Sequence, residues 1–281
     1  MKATMLATLV LTATAARAEM RQASFASASL GRDVSVAVQL PPSYAAGDRR
    51  YPVLYVLHGL FENHSFWERR GLAAILDGLW ASKDVPELVV VAIDGGNSFF
   101  VNGKAGRYED LVTRDLISYT EATYRTLPGR DGRALLGVSM GGYAALRIAL
   151  SHPPLFRAVG AHSAMLLTEI PTADLGARGG QLEAFYRVFG NPIDPELWAA
   201  SDPLALAARA DPKTAPALYF DCGDRDRYGL FQGNEALHRR LTDRKVEHEF
   251  ALLPGDHGYE YVRSVLERSL RFAGRALSTP P

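Results

Sequence analysis

Short, continuous apolar segments recur along this chain with longer helical patterns between them, and this alternation limits the folds that it can adopt. Residues 52–57 (PVLYVL) and 88–93 (LVVVAI) are apolar throughout, which is typical of strands covered on both faces. Further strands are predicted at residues 133–138, 156–161, 217–221 and 247–253, and helices at residues 110–124, 141–150, 230–241 and 259–276. Because strands separated by helices pair in parallel through right-handed crossovers, we expect an α/β fold with a mostly parallel central sheet and helices on both faces.

Two segments depart from this pattern. Residues 34–40 alternate and stop at Pro41 and Pro42, as an outer antiparallel strand would. Residues 165–212 are rich in Gly, Pro and Ala, and we interpret them as a short lid-like insertion over the carboxyl edge of the sheet, where ligands bind in open α/β folds. Four aromatic residues favour that interpretation over a loop that only packs on the surface: Phe185, Tyr186, Phe189 and Trp198.

The first residues of the chain differ from the rest in composition. Lys2 is followed by an apolar run over residues 5–16 and by the small-x-small sequence Ala16-Arg17-Ala18, which is the pattern of a secretory signal peptide. The run is shorter than the roughly 20 residues that a membrane span needs, which disfavours an anchoring helix. We therefore expect a signal peptide at residues 1–18, a secreted or periplasmic protein, and a single domain over residues 19–281.

Charge and ligand spacing exclude several kinds of partner. Lys plus Arg and Asp plus Glu both number 31, so neither nucleic acid nor an anionic membrane is expected to bind. His58 and His64 lack metal-ligand spacing, and no dinucleotide or P-loop sequence occurs, so we expect no metal and no cofactor. Cys222 is alone, and we interpret it as a small buried residue at the end of a strand rather than a reactive thiol.

The sequence Gly137-Val138-Ser139-Met140-Gly141 lies between a predicted strand and a predicted helix. In an α/β-hydrolase fold this pentapeptide forms a sharp turn that exposes the serine hydroxyl at the end of the strand, and glycines on both sides remove side chains that would clash there. A chance glycine-rich turn is the alternative, but the strand before and the helix after favour the nucleophile. We therefore predict that Ser139 is a nucleophile.

A serine nucleophile needs a histidine base, which follows it in the chain. His257 lies in a loop between the last predicted strand and the last predicted helix, where the base of this fold belongs. His238 and His248 lie in charged segments, and we expect both to be solvated.

The base needs a carboxylate partner after the preceding strand. The sequence DCGDRD offers Asp221, Asp224 and Asp226. Asp221 is expected to belong to the strand, which leaves Asp224 and Asp226 as alternatives, and the one that is not the acid is expected to be a turn residue or a partner for a neighbouring arginine.

An acyl-transfer intermediate also needs two donors for its oxyanion. The backbone N–H of Met140, directly after the nucleophile, is one candidate. The amide of Leu60, in the His58-Gly59-Leu60 loop after an earlier strand, is the other, with the His58 side chain as a brace for that loop. Five aromatic residues follow strands in neighbouring loops; core packing is the better expectation for each, although some could line an acyl or aryl pocket: Phe61, Trp67, Phe99, Phe100 and Tyr108.

These stretches together resemble a known group, the esterase family that includes S-formylglutathione hydrolases, feruloyl and acetyl-xylan esterases, enterochelin esterases and mycolyltransferases. The segments that carry the resemblance are YPVLYVLHG, YEDLVTRDLISYTEATY, LLGVSMGGYAALRIAL, DCGDRD and LPGDHGYEYV. The resemblance implies ester hydrolysis without a cofactor. It also implies that the acid falls three residues after the glycine of the G-x-x-D loop, which favours Asp226 over Asp224.

The resulting hypothesis is an exported serine esterase that acts on a small-molecule ester or an acylated sugar through Ser139, His257 and Asp226. An acyltransferase that passes the acyl group to a sugar or another alcohol is the nearest rival. A non-catalytic binding protein on the same scaffold is a rival from a different class. The acyl and alcohol groups and the oligomeric state are not predicted.

Overall fold

An eight-stranded sheet forms the centre of the protein in the computed structural model, which describes residues 19–172 and 180–278. The described residues form these strands, of which all but β5 and β6 belong to the large sheet: β1 (Arg21–Ser27), β2 (Arg32–Gln39), β3 (Val53–Leu57), β4 (Val89–Ile93), β5 (Asn102–Gly103), β6 (Gly106–Arg107), β7 (Arg133–Val138), β8 (Ala158–His162), β9 (Ala217–Gly223) and β10 (His248–Leu253). The order in the sheet is β1-β2-β4-β3-β7-β8-β9-β10, and β5 and β6 form a separate ribbon. The pairs β1–β2 and β2–β4 are antiparallel, and all other pairs in the large sheet are parallel.

Helices cover both faces of the sheet. They are α1 (Phe66–Arg69), α2 (Leu72–Ala81), α3 (Tyr108–Asp110), α4 (Ile117–Thr123), α5 (Met140–Ser151), α6 (Gly180–Phe189), α7 (Pro195–Ser201), α8 (Pro203–Ala207), α9 (Leu230–Asp243) and α10 (Tyr259–Ser278). A π-helical turn (Leu111–Leu116) joins α3 to α4. Single-turn 3-10 helices lie at Pro42–Ala46 and Arg130–Gly132.

The core consists of one layer on each face, as the alternation of side chains along a strand requires. In β3, Tyr55 and Leu57 pack with residues of α5 and α9. Leu54 and Val56 pack on the other face with residues of α2 and α10. Because all four side chains are fully buried, the strand is apolar throughout instead of alternating with polar residues. The predicted α/β-hydrolase architecture is confirmed.

The predicted strands are found with their ends shifted by no more than two residues, but some elements were missed. Residues 34–40 correspond to β2, which is antiparallel as expected but is not the outermost strand, because β1 pairs with its free edge. The helix α2 was not predicted either. The helix predicted at residues 110–124 begins at Tyr108 and is interrupted by the π-helical turn.

The insertion is helical where the structure describes it. Its helix α6 packs on the body of the protein, where the ring centroids of Phe99 and Phe185 are 4.5 Å apart, and it packs on α7 of the insertion, where those of Phe189 and Trp198 are 5.1 Å apart. The inner face of α6 is therefore part of the main core. Residues 173–179 of the insertion and the predicted signal peptide at residues 1–18 lie outside the described residues. Within the described ranges no helix is long and apolar enough to cross a membrane.

Candidate active site

Ser139 lies on a strained turn between β7 and α5. Its φ and ψ angles are 55° and −115°, a region that non-glycine residues rarely occupy and that functional sites often contain. Close backbone approach explains the flanking glycines: a Cβ atom on Gly137 would lie 2.0 Å from the carbonyl oxygen of Gly141, and one on Gly141 would lie 2.4 Å from that of Leu57. Neither position has room for a side chain. The turn therefore has the geometry that the pentapeptide predicts.

His257 lies in the loop between β10 and α10, and its partner is Asp226. The distance from His257 Nδ1 to Asp226 Oδ2 is 2.8 Å, and the Asp226 side chain is fully buried. Two further donors hold this carboxylate: the backbone N–H of Tyr228 at 2.9 Å from Oδ1 and the thiol of Cys222 at 3.6 Å from Oδ2. Because Nδ1 donates to Asp226, the unprotonated ring nitrogen is Nε2, which is the atom a general base uses.

The other two carboxylates of this segment have different partners. Asp224 is more than one-third exposed, and its Oδ1 accepts the backbone N–H of Gly255 at 3.0 Å and the Nε–H of Arg225 at 3.4 Å. Asp221 belongs to β9 and is fully buried. Of the three candidates, Asp226 is the one in contact with the His257 ring, and Asp224 braces the backbone of the loop that carries this histidine.

Ser139 and His257 line one cavity of about 240 Å³, called here the Ser139 cavity, together with Leu60, Tyr228 and Gln181. Gln181 comes from the first turn of α6, so the insertion contributes to the wall. Among residues 19–172 and 180–278, no hydrogen bond joins the Ser139 hydroxyl to the His257 ring. Such contacts commonly tighten only when a substrate is bound.

The loop after β3 is held in place by His58. Its Nε2 accepts the N–H of Gly95 at 3.0 Å, so Nδ1 carries the proton and donates to the carbonyl of Gly59 at 2.7 Å. Burial holds the pKa of His58 below its ordinary value, which keeps the ring neutral as this bonding requires. The C=O and N–H of a trans peptide point in opposite directions, so anchoring the Gly59 carbonyl also fixes the direction of the Leu60 N–H.

The same loop lies directly against the nucleophile. A Cβ atom on Gly59 would be 3.6 Å from the Cβ atom of Ser139, and the N–H of Phe61 donates to Asn97 Oδ1 at 2.7 Å. The Met140 amide is the first N–H of α5 and adjoins Ser139 in sequence. The two candidate oxyanion donors, Leu60 and Met140, therefore approach Ser139 from two chain segments. The bracing by Asn97 has no signal in the sequence.

The expectations for His238, His248 and Cys222 have different outcomes. His238 and His248 are only partly exposed to solvent, and His238 Nδ1 lies 2.8 Å from His248 Nε2. Their rings also pack on Phe220 and Phe250, which the charged neighbours in sequence did not indicate. Cys222 is fully buried as expected, and burial raises the pKa of its thiol.

The aromatic residues of the loops differ in whether they are buried or exposed. Trp67, Phe99 and Phe100 are buried in the core, whereas Phe61 has 62% of its surface exposed and lies at the mouth of the Ser139 cavity. Core packing was therefore wrong for Phe61. Its φ angle of 64° lies in the left-handed region, where a bulky residue is rarely found.

A second group of Asp, His and Ser lies beneath the turn that carries Ser139, and it was not predicted from the sequence. His162 Nδ1 is 2.9 Å from Asp221 Oδ2, and His162 Nε2 is 2.8 Å from the hydroxyl oxygen of Ser269 on α10. The hydroxyls of Tyr219 and Tyr261 donate to Asp221 at 2.8 Å each. His162 and Asp221 have no exposed side-chain surface, so no substrate can reach them in this structure.

The comparisons with known proteins agree on one family. Residues 27–273 match the family model described as "Putative esterase". The chain is 27% identical over 262 residues to an esterase of Mycobacterium tuberculosis, covering 83% of this chain and 54% of the relative. It is 31% identical over 198 residues to the diacylglycerol acyltransferase/mycolyltransferase Ag85A of the same species, covering 63% of this chain and 53% of that protein. The chain thus spans about half the length of these curated relatives.

A similar match is found among solved structures. The structure of a ferulic acid esterase superposes with a TM-score of 0.79 and 26% sequence identity, covering 92% of this chain and 98% of that one. An S-formylglutathione hydrolase from Agrobacterium tumefaciens superposes with a TM-score of 0.74 at 19% identity, covering 92% of this chain and 95% of that one, which supports the fold alone.

Proposed function

The chain belongs to the "Putative esterase" family, and from that premise we propose that it is a serine carboxylic-ester hydrolase with Ser139, His257 and Asp226 as its catalytic triad. The observation that carries the proposal is the 2.8 Å contact between the buried Asp226 and His257, which lines the same cavity as Ser139. A buried carboxylate orients the imidazole and stabilises the imidazolium that forms during the reaction.

The reaction begins with attack of Ser139 Oγ on the ester carbonyl carbon while His257 Nε2 takes the hydroxyl proton. The carbonyl oxygen becomes an oxyanion, which the N–H groups of Leu60 and Met140 stabilise. His257 then gives the proton to the leaving alcohol, and the carbon–oxygen bond breaks to leave an acyl group on Ser139. A water molecule, deprotonated by the same imidazole, then attacks the acyl carbon. The bond between this carbon and Ser139 Oγ breaks, His257 returns the proton to Oγ, and the free acid leaves.

A panel of chromogenic esters tests this proposal. The panel runs from acetyl to long acyl groups and includes feruloyl and acetylated-sugar esters, with the folded Ser139→Ala variant as the control. We expect hydrolysis of at least one small-molecule ester or acylated sugar by the wild type, and a loss of at least about 10⁴-fold in kcat in the variant. Near-normal activity of Ser139→Ala would exclude this mechanism.

An acyltransferase is the second candidate, and the similarity to a mycolyltransferase is the observation that favours it. The acyl-enzyme would be the same, and a sugar or another alcohol would replace water as the second nucleophile. Product analysis with and without an added alcohol acceptor separates the two activities. A transfer product that exceeds the free acid at low acceptor concentration would identify a transferase, whereas free acid as the main product at every concentration would identify a hydrolase.

We also propose that the protein is exported and that residues 19–281 form one domain. The support is the composition of residues 1–18, with Lys2, the apolar run and the Ala16-Arg17-Ala18 sequence. N-terminal sequencing of the protein recovered from the periplasm or medium of an expressing bacterium tests this. A mature chain that begins near Glu19 is expected, and retention of the intact N-terminus in the cytoplasm would contradict the proposal.

A further inference from the structure

A long groove lies next to the Ser139 cavity along α10. Groove and cavity share two lining residues, Arg70 and Tyr259, so they adjoin each other. The groove has a volume of about 710 Å³ and lies between α2 and α10; it is called here the α2–α10 groove. No step of the proposed reaction uses it.

The two walls of this groove differ in character. On α10 its lining residues recur at every fourth position, Tyr259, Arg263, Glu267 and Arg271, which places them on one face of the helix. A span of twelve residues corresponds to about 18 Å of α-helix. The α2 wall consists largely of small residues, and a Cβ atom on Gly71 or Gly78 would meet no other atom within 4 Å. The groove is therefore open along its length.

The charges of the groove differ between its two ends: the far end has one arginine and two carboxylates, whereas the end next to the cavity has more arginines than carboxylates. At the far end, Arg271 pairs with Asp84 at 2.8 Å and with Glu267 at 3.4 Å. At the near end, Arg69 and Arg70 share one carboxylate, Glu62, which lies 3.7 Å from the Arg70 guanidinium.

Arg263 adds to this positive excess. It also lines the groove and is exposed, and it has no ion pair or hydrogen bond within residues 19–172 and 180–278. Three arginines thus face one carboxylate where the groove meets the cavity.

Arg70 is held rigidly at this junction. Its guanidinium carbon lies 4.5 Å from the centroid of the Tyr259 ring and 5.5 Å from that of Phe66. The Tyr259 hydroxyl also donates to the backbone carbonyl of Arg70. A guanidinium fixed between two rings loses little conformational freedom when it binds a ligand. About one-third of the Arg70 side chain remains exposed.

The position of His257 indicates which part of a substrate enters the groove. His257 must return a proton to the leaving alcohol, so the alcohol leaves on the histidine side of Ser139. The helix α10 begins at Tyr259, two residues after His257, and the groove therefore starts on that side. We propose that the α2–α10 groove binds the alcohol part of the ester, and that this part carries an anionic group, a carboxylate or phosphate, bound by Arg70 and Arg263. This inference rests on the proposed esterase function.

Acetyl esters that differ only in the charge of the alcohol part test the inference. The substrates are 4-acetoxybenzoate, its uncharged methyl ester and 4-acetoxyphenyl phosphate, and each kcat/KM is divided by the rate of that ester with hydroxide. We expect wild-type protein to prefer the anionic esters over the methyl ester by about tenfold at low salt. The preference should shrink as NaCl rises from about 0.02 to about 0.5 M, because salt screens exposed charges.

Substitutions in the groove locate the effect. Arg263→Gln is expected to lower the ratio of anionic to uncharged kcat/KM about fivefold and Arg70→Gln about tenfold. The matched control is Arg268→Gln, an exposed arginine of α10 outside the groove, which should leave the ratio unchanged. A higher ratio for the phosphate than for the carboxylate would support the anion site and assign phosphate as its group.

Failure of the groove and failure of the catalytic assignment give different results. If wild type hydrolyses all three esters without a preference, or if Arg268→Gln changes the ratio as much as Arg263→Gln, the groove inference is overturned and the esterase proposal stands. If Ser139→Ala hydrolyses the uncharged ester as fast as wild type, the proposed function itself fails.

Discussion

The molecule contains two Asp–His–Ser groups built from neighbouring parts of the same sheet edge, and they differ mainly in access. The open array consists of Asp226, His257 and Ser139, and the buried array of Asp221, His162 and Ser269. The Asp–His distances are nearly equal, 2.8 Å in the open array and 2.9 Å in the buried one. The His257 side chain is 16% exposed, whereas His162 is completely buried.

The serines differ as well. Ser139 occupies a strained turn at the head of α5, and its hydroxyl faces the Ser139 cavity. Ser269 lies inside α10, and its hydroxyl has an acceptor within its own helix, the carbonyl of Leu266 at 2.9 Å. Hydrogen-bond distances alone therefore do not identify a catalytic site in this protein. Access to a cavity and a strained backbone at the nucleophile separate the two arrays.

The buried array still supports the open one. The carbonyl of His162 accepts the backbone N–H of Ser139 at 2.9 Å, and the carbonyl of Asp221 accepts that of Ser163, another residue of the cavity wall, at 2.7 Å. The two arrays are thus joined through the backbone. Damage to the buried array is expected to appear first as lost stability, and damage to the open array as lost catalysis.

The largest expected difference comes from the histidines. His257→Gln should lower kcat by about 10⁴-fold or more, because the amide that replaces the imidazole is not basic enough to take the Ser139 proton, while the urea midpoint stays close to that of wild type. Ester hydrolysis and urea unfolding measured on the same preparations check this. A variant that keeps more than one-tenth of wild-type kcat would remove His257 from the mechanism.

The carboxylates give the next largest effect. Asp226→Asn should lower kcat by about 10⁴-fold, since the amide cannot hold the imidazole in the required tautomer. Asp224→Asn is the matched control in the same turn: it keeps an acceptor for the Gly255 N–H, and we expect a loss of less than about tenfold. Ester hydrolysis by the two folded variants is the measurement, and the reverse order of their activities would assign the acid to Asp224.

The buried array is probed through stability. Asp221→Asn removes the charge that the His162 ring and two tyrosine hydroxyls contact, and breaking such a buried set should lower the free energy of unfolding by about 3–5 kcal/mol. Urea unfolding at low temperature measures the loss. The folded fraction should retain kcat within about tenfold of wild type, and a loss as large as that of Asp226→Asn in folded protein would mean that the buried array takes part in catalysis.

The smallest effect concerns His58, the brace of the Leu60 loop. Burial holds its pKa below the ordinary value of about 6.5, so the unfolded chain takes up a proton before the folded one does as the pH falls. The free energy of unfolding should therefore be unaffected by this residue above about pH 6.5 and should decrease below it, by at most about 1.4 kcal/mol per pH unit. Burial lowers the pKa of His238 as well, so a variant is needed to isolate His58.

His58→Asn provides that comparison, because its amide can still donate to the Gly59 carbonyl but does not titrate. Urea unfolding of both proteins from mildly alkaline to mildly acidic pH is the measurement. We expect a shallower decline in the variant, and parallel curves would show that His58 is not the titrating group.

The sequence predicted the open array in part because its signals are local. Ser139 is identified by five consecutive residues between a strand and a helix, and His257 by its place after the last strand. The choice between Asp224 and Asp226 depends on which way two side chains of one turn point, which neither composition nor spacing encodes. The preference for Asp226 rested partly on the resemblance to a family.

The buried array could not be predicted in this way. His162 contacts residues that are 59 and 107 positions further along the chain, and no local pattern links them. The strand β1 was missed for a related reason. Most of its residues are exposed and few are apolar, so it is recognised by its pairing with β2 and not by its own sequence. Long-range pairing decides both cases.

Covalent labelling compares the two serines most directly. The folded wild-type protein is treated with a fluorophosphonate probe, digested and mapped by mass spectrometry, with Ser139→Ala and Ser269→Ala as parallel samples. We expect a single adduct, on the peptide that contains Ser139, in wild type and in Ser269→Ala, and none in Ser139→Ala. An adduct on another residue, or no adduct on folded wild-type protein, would contradict the assignment of Ser139 as the nucleophile.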